Sequence, residues 1–556
     1  MEQFDVLIVG AGLSGIGAGA RLRMDCPDKT FAILEGREAS GGTWDLFRYP
    51  GVRSDSDMYT LGYRFRPWRD GKAIADAPAI LNYIRETSAE YDLDKEIRYG
   101  HRVKKAEWSS GEARWTVQVD VSSPHVSKGS TEEERLTQSR KAAKEEREED
   151  LTQSRKVAKE EREEGLTQSR KVAKEVREEQ EFPQSRKHAN ESQGETKTFT
   201  CSFLYLCTGY YDYDAGYTPK WPGFENYTGV IVHPQKWDET LDYAGKRILV
   251  IGSGATAVTL VPAMAETAEH VTMLQRSPTY IVTMPSTDKI ANALRAVLPA
   301  KAAYAMTRWK NVIRQMFFFE LARRRPSMMK KMIAKGVRAE LGEELAEQHF
   351  KPNYNPWDQR LCIVPDSDLF DAIREGRASV VTGEIETFTS NGARLNGGDE
   401  LEADIIVTAT GLVLKIMAGL TLVVDGETVD LSKKIAYKGM MYNDVPNLAQ
   451  AFGYTNASWT LKCDLTSEYV CRLINYMDEH DHSACTPRLN DPSVKREPAI
   501  DFNSGYVLRA IDEIPGQGSK MPWRLHQNYF KDVRMLRYGR FEDGVMEFAR
   551  TQTNNS

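Results

Sequence analysis

No two of the seven cysteines stand in a CxxC or any other metal-ligand spacing. Cys26, Cys201, Cys207, Cys362, Cys463, Cys471 and Cys485 are scattered through 556 residues. That excludes a zinc ribbon, and it excludes a disulfide reductase, which needs a paired dithiol. An odd, sparse set points to a reducing compartment without a disulfide framework. An excess of positive charge is missing too. Lys and Arg number 74 against 80 Asp and Glu, so the chain as a whole offers a nucleic-acid backbone no electrostatic hold. The N-terminus, Met1-Glu-Gln-Phe-Asp5, lacks the basic stretch of a secretory signal. A clean membrane-spanning run is absent as well. Residues 405–424 approach the length, but Lys415 and several Thr and Gly interrupt them. They are expected to form a buried strand–loop–strand. The expected setting is cytoplasmic, with membrane contact at most peripheral.

One segment departs from the rest. Leu136-Thr-Gln-Ser-Arg-Lys141 returns at Leu151 and Leu166, a period of 15 residues, with a degraded copy at Gln184-Ser-Arg-Lys187. Lys, Glu and Arg fill the intervals, so there is almost nothing apolar to bury. Either a solvated helix laced with i,i+4 pairs or a chain without fixed structure suits such a composition. Residues 122–196 are therefore read as an insertion, inert or bearing an unknown partner. Its flanks, residues 114–120 and 198–206, have the pattern of strands and are expected to be neighbours in one sheet.

Outside the insertion, strand-like and helix-like stretches alternate, the pattern of an α/β fold with parallel sheets. The apolar run Phe4–Val9 leads into Gly10-Ala-Gly12-Leu-Ser14-Gly15, then a small-residue helix, then Phe31-Ala-Ile-Leu34 ending in Glu35. This is a dinucleotide fingerprint in its full context. Gly10 permits the tight turn, Gly12 admits a pyrophosphate to the backbone, and Gly15 lets helix and strand pack closely. Glu35 is placed to accept from ribose hydroxyls. Gly41-Gly42-Thr43-Trp44 follows, a loop suited to cover a flavin.

A second fingerprint runs from strand 247–251 into Gly252-Ser253-Gly254-Ala255-Thr256-Ala257-Val258. The next strand ends in Gln275-Arg276-Ser277, without an acid. A carboxylate there would repel a 2′-phosphate, whereas Arg276 would pair with it. Two such sites, the second preferring NADPH to NADH, imply hydride transfer from NADPH to FAD.

Four motifs carry a family resemblance. Gly41-Gly42-Thr43-Trp44-Asp45-Leu46-Phe-Arg-Tyr49-Pro-Gly51-Val-Arg53-Ser54-Asp55 resembles the loop signature of the Baeyer–Villiger monooxygenases. Tyr227-Thr-Gly229-Val-Ile-Val-His233-Pro-Gln-Lys-Trp237-Asp238 resembles their FxGxxxHxxxW fingerprint, with Tyr in the leading place. Asp404-Ile-Ile-Val-Thr-Ala-Thr-Gly411 and Cys207-Thr-Gly209 resemble the two crossings between domains. Residues 355–360 and 453–459 are most similar to the ethionamide-activating subgroup. The resemblance implies that Arg360 is the active-site arginine and that Asp55 sits beside it. It places Ser14, Thr43, Trp44, Asp45, Leu46 and Val103 on FAD, and Arg53, Ser54 and Asp55 near the nicotinamide. Gln359 stands where many members carry Lys, which leaves more of the NADPH phosphate to Arg276.

The resulting expectation is an α/β protein with two Rossmann-like domains. The FAD domain takes residues 1–121, 197–215 and 386–556, and the NADPH domain takes 216–385, with a helical subdomain around residues 291–332. The implied activity is oxygenation of a small-molecule ketone to an ester or lactone, and of sulfides or thioamides, with O2. Two other readings stay open at this point. One is an N/S-oxygenating flavin monooxygenase without ketone chemistry. The other is a flavin-binding interaction protein that works through its repeat arm.

Overall fold

The computed structural model describes residues 1–122, 195–500 and 504–550. The repeats therefore lie outside the described residues. The first sheet is built around strand Glu2–Val9, whose last four residues are β-branched or Leu and fully covered on both faces. It pairs in parallel with Phe31–Leu34 on one side and Glu195–Leu206 on the other. The sheet has nine strands. Arg114–Val121 lies beside Glu195–Leu206, so the two flanks of the insertion are neighbours. Late strands Thr421–Val424 and Leu448–Gln450 complete the same sheet, the latter pairing with Leu204–Leu206. Residues 405–424 do fold as strand, turn and strand, in three short pieces. No helix among the described residues is long and apolar enough to cross a membrane. All seven cysteines are free and buried.

Helix Leu13–Asp25 is rich in Gly and Ala, and nearly all of it is buried. The small side chains let helix Trp459–Glu479 lie against it. Arg21 crosses that contact, with its Nη2 2.8 Å from both Asp464 and Glu468. The C-terminal part of the chain is thereby tied to the first nucleotide motif.

The second sheet is fully parallel, in the order Ala378–Thr382, His270–Gln275, Arg247–Ile251, Ile405–Thr408, Val230–Val232. The domain boundary expected at residue 385 is corrected here. Ile405–Thr408 is a central strand of this sheet. The antiparallel strands of residues 385–402 pack beside it through Phe388 and Leu395, against Leu249 and Ile406. The chain leaves the second sheet only after Thr408, because apolar residues 405–407 match the buried register of Ile248–Val250.

The helical subdomain consists of Lys289–Val297, Ala300–Arg324 and Pro326–His349. One face of Ala300–Arg324 grips the segment that follows Asp55. Buried Arg308 donates to the carbonyls of Tyr59 and Gly62, each at 2.8 Å. Asn311 and Gln315 each donate to Asp57 at 2.9 Å.

Candidate active site

The first fingerprint explains its glycines by close approach. Gly10 has φ +103°, and a Cβ there would lie 2.7 Å from the Cys207 carbonyl oxygen. A Cβ on Gly15 would lie 1.8 Å from the Gly10 carbonyl oxygen, so only glycine lets the helix start where it does. Gly12 caps the helix without any side-chain hydrogen bond, leaving the first-turn N–H groups open. Its Cα side faces Gly42 across a gap in which a Cβ would sit 3.4 Å from the Gly42 Cα. Two strips of bare backbone thus face each other, the shape a pyrophosphate needs. Glu35 ends the second strand. Its Oε2 accepts from Ala11 N at 2.7 Å and its Oε1 from Arg37 N at 3.0 Å. Burial holds its carboxyl above the usual carboxylate range. A cavity of about 880 Å³ runs from Gly10, Glu35 and Val103 to Gly42 and Tyr213.

There it meets a larger cleft, of about 1750 Å³, lined by Ser14, Thr43, Trp44, Arg53, Ser54, Asp55, Thr256 and Arg360. The two spaces form a continuous trough from the first fingerprint to Arg360, and the residues present fit FAD. Ser14 Oγ accepts from Trp459 Nε1 at 2.9 Å, and the Trp459 ring stacks on Tyr210 with centroids 4.9 Å apart. Thr43 Oγ1 lies 3.3 Å from the Tyr213 hydroxyl.

The loop of residues 41–55 does not present every residue to the cleft. Asp45 is buried, and three guanidinium groups hold it: Arg37 at 2.7 Å, Arg48 at 2.8 Å and Arg85 at 3.2 Å. Its carboxylate secures the loop, and neither Asp45 nor Leu46 lines the cleft. Gly51, at φ +74°, is where the loop meets the second domain; a Cβ there would lie 2.9 Å from the Thr259 carbonyl oxygen. Tyr49 lines the cleft with Thr256, which is on helix Ala255–Met264, and burial pushes the Tyr49 hydroxyl up to about 12. Arg53 is engaged by Asp368, 315 residues on, with Nη2 3.2 Å from Oδ1. Ser54 closes on its own loop, donating to the Ser56 carbonyl at 2.6 Å.

Arg360 Nη2 lies 2.7 Å from Asp55 Oδ2, and both line the cleft. The Asp55 carboxylate raises the Arg360 pKa further above its already high range. The loop that carries Arg360 is fixed by Asp358, which accepts from Asn355 N at 3.0 Å. Trp357 in that loop is held in the left-handed region at φ +71°, a strain that surrounding contacts must sustain. Its ring meets Phe319 edge-on, 5.4 Å between centroids.

In the second fingerprint Gly252 has φ +138°, and a Cβ would lie 2.3 Å from the Ala409 carbonyl oxygen. Gly254 caps helix Ala255–Met264 with no side-chain bond, and open space surrounds it. Ser253 Oγ lies 2.9 Å from Thr279 Oγ1. Ala257 and Val258 are buried in the second core, where their side chains pack the motif. Gln275 is buried and donates to the His349 carbonyl at 2.6 Å. Arg276 and Ser277 are exposed at the strand end, and no ion pair among the described residues holds Arg276. An open helix N-terminus beside a free guanidinium fits NADPH.

The motif of residues 227–237 lies outside the cleft lining. Tyr227 donates to the Ala403 carbonyl at 2.9 Å, and its ring covers Gly229, where a Cβ would come within 2.3 Å of the Tyr227 hydroxyl oxygen. His233 Nδ1 accepts from Gln235 N at 3.2 Å, and its Nε2 lies 3.3 Å from the Gly411 carbonyl. Burial lowers its pKa, which keeps the ring neutral. Its ring thus bridges its own loop and the end of the 404–411 crossing. Sequence reasoning missed the wall of Tyr210, Tyr211, Phe452 and Tyr506 that faces Arg360. The double Tyr just after Gly209 was its one visible trace.

Known proteins place this arrangement. Residues 165–438 match the model of the flavin-binding monooxygenase-like family, and residues 8–70 match the NAD(P)-binding Rossmann-like domain. The chain is 47% identical over 551 residues to the FAD-containing monooxygenase EthA of Mycobacterium tuberculosis, covering 99% of this chain and 98% of that one. It is 41% identical to the probable FAD-binding monooxygenase AlmA of Acinetobacter baylyi, covering 99% of this chain and 97% of the other. In fold it is similar to an oxidized steroid monooxygenase bound to NADP, with TM-score 0.68 and 20% identity over 99% of this chain and all of that one. An open form of cyclohexanone monooxygenase gives the same TM-score at 16% identity, again over 99% of this chain and 100% of that one.

Proposed function

This chain belongs to the FAD-containing, flavin-binding monooxygenases, and from that premise we propose that it oxygenates ketones to esters or lactones, and sulfides or thioamides, with NADPH and O2. The observation that carries the reading is the Arg360–Asp55 pair at 2.7 Å, facing the cleft between two nucleotide-binding folds. FAD reduced by NADPH supplies the activation of oxygen.

The rest is the work of this chain's residues. Gly10, Gly12 and Gly15 seat the pyrophosphate, Glu35 meets the adenosine ribose, and Ser14, Thr43 and Trp44 line the flavin end. Val103 closes the adenosine end. Arg276 and Ser277 take the 2′-phosphate, while Ser253, Gly254, Ala255 and Thr256 offer backbone N–H groups to the second pyrophosphate. Ala257 and Val258 keep that helix packed on its sheet. Arg360 stays protonated at every working pH. Its guanidinium donates to the oxygen of a substrate carbonyl and stabilises the negative charge that gathers there on attack. Asp55 orients the guanidinium, and Arg53, held by Asp368, keeps the nicotinamide side of the cleft in register with the second domain. The aromatic wall of Tyr210, Tyr211, Phe452 and Tyr506 excludes water and shapes an apolar seat for the substrate. The same reading places the enzyme in the cytoplasm, with any membrane contact peripheral.

Arg276→Ala should raise KM for NADPH about 10- to 100-fold, the worth of a charge-assisted phosphate contact. KM for NADH should stay within about twofold, because NADH has no 2′-phosphate for Arg276 to hold. Steady-state NADPH and NADH oxidation rates test this, and equal changes for the two would remove the assignment. The ketone chemistry itself is tested by product mass after incubation with a panel of ketones and sulfides. Sulfoxides without any ester would favour the plain N/S-monooxygenase.

A further inference from the structure

The three helices of the subdomain turn large apolar side chains outward. On Ala300–Arg324, Met306, Trp309, Ile313 and Phe317 follow one another at spacings of three and four, which is one helical stripe. All four are exposed, Phe317 at 60%. The opposite face of the same helix is the one that grips residues 57–62. On Lys289–Val297, Ile290 and Val297 point to solvent, Val297 at 77%, and on Pro326–His349 Met328 and Met332 do the same. The helices pack on one another in sequence, and Phe530 extends the surface by stacking on Trp309. Single exposed apolar residues are ordinary, but a contiguous set of this size marks a contact surface.

Charge identifies what it contacts. From Lys289 to Lys335 stand twelve Lys or Arg and one acid, Glu320, in a chain whose acids outnumber its Lys and Arg 80 to 74; Arg308 is buried on the gripping face, Lys310, Arg323 and Arg324 pair with Asp288, Asp358 and Glu320, and the other eight remain. Lys331 and Lys335 lie on the same face as Met328 and Met332. A second copy of this face would set like charge against like. We propose that this surface seats the enzyme on an anionic lipid bilayer, with the apolar stripe at the acyl boundary and the basic side chains among the headgroups. This deepens the peripheral-contact reading above and names the surface and the lipid chemistry. It is tested apart from the oxygenation reaction.

The experiment is cosedimentation of the full-length holoenzyme with vesicles of phosphatidylcholine alone, and of phosphatidylcholine with about one-third phosphatidylglycerol. The wild type should sediment with the anionic vesicles and stay in solution with the neutral ones. Each basic residue near such a surface strengthens binding roughly fivefold, and reversal removes at least that. Lys331→Glu with Lys335→Glu should therefore weaken binding about 25-fold or more. Ile313→Glu with Phe317→Glu should abolish it. Both double variants should keep their flavin and their NADPH oxidation rate, since the changed side chains are exposed. The proposal is overturned if the wild type ignores anionic vesicles, binds both kinds equally, or loses nothing in either variant. It is also overturned if light scattering without lipid shows a dimer that the same variants convert to monomer. Ester formation, measured without lipid, reports on the reaction independently of all these outcomes.

Discussion

Arg360→Ala should lose ester formation from ketones by at least about 100-fold, the usual cost of removing one donor to a developing oxyanion. NADPH oxidation should survive, because neither nucleotide motif contains Arg360. The combination is informative. A residue that only maintained the fold would lower flavin content and NADPH oxidation together. Arg360→Lys keeps the charge but not the planar fork, and should recover only part of the ester yield. Asp55→Asn tests the pair from the other side. It leaves the guanidinium in place but without its charged partner 2.7 Å away, so ester yield should fall by less than in Arg360→Ala. The two losses should not add, since both residues act through one group. Normal ester yield from Arg360→Ala would take the catalytic arginine out of the account.

The second large effect is at Gly15. A methyl group there would lie 1.8 Å from the Gly10 carbonyl oxygen, far inside contact distance, and the atoms in the way are backbone. The helix start must shift, and with it the open N–H groups that receive the pyrophosphate. Gly15→Ala should purify nearly colourless, with most of its FAD lost, as read from the ratio of flavin to protein absorbance. The second fingerprint supplies the control. Ala257 occupies the corresponding place there, fully buried and accommodated. NADPH binding by the Gly15→Ala protein, followed by nucleotide fluorescence, should therefore persist and report that the second domain is folded. A fully yellow variant would contradict the close-packing argument.

Much of the fold is legible in the sequence where structure is local. Phe4–Val9 and residues 247–251 read as strands because an apolar run stops at a glycine that needs positive φ, and both glycines have it. The α/β class, the two Rossmann-like folds and the use of FAD and NADP follow from those two places. The flanks of the insertion read as neighbouring strands because each alternates or fills with apolar residues up to its end. What the sequence hides is long-range. Nothing near Asp45 announces that Arg37, Arg48 and Arg85 converge on it, nor that Arg53 meets Asp368 on the other domain. The boundary between the domains is hidden for the same reason. Residues 385–402 carry no nucleotide motif, and only pairing shows which sheet they serve. Nothing in the second fingerprint as a string tells which of its side chains are buried; the structure buries Ala257 and Val258 and leaves Gly254 open.

His233 illustrates what geometry adds. A histidine in a motif invites an acid–base role, yet here one nitrogen accepts from Gln235 N, the other faces the Gly411 carbonyl, and burial keeps the ring neutral. The ring therefore ties its own loop to the end of the 404–411 crossing, away from the cleft lining.

The most direct measurement is a turnover of purified enzyme with NADPH and a simple ketone under isotopically labelled O2, with the product analysed by mass. Two nucleotide folds that meet at the Arg360–Asp55 pair should deliver an ester or lactone carrying one labelled oxygen atom for each molecule formed. A product whose new oxygen comes from water, or a yellow enzyme that leaves NADPH untouched, would contradict the account.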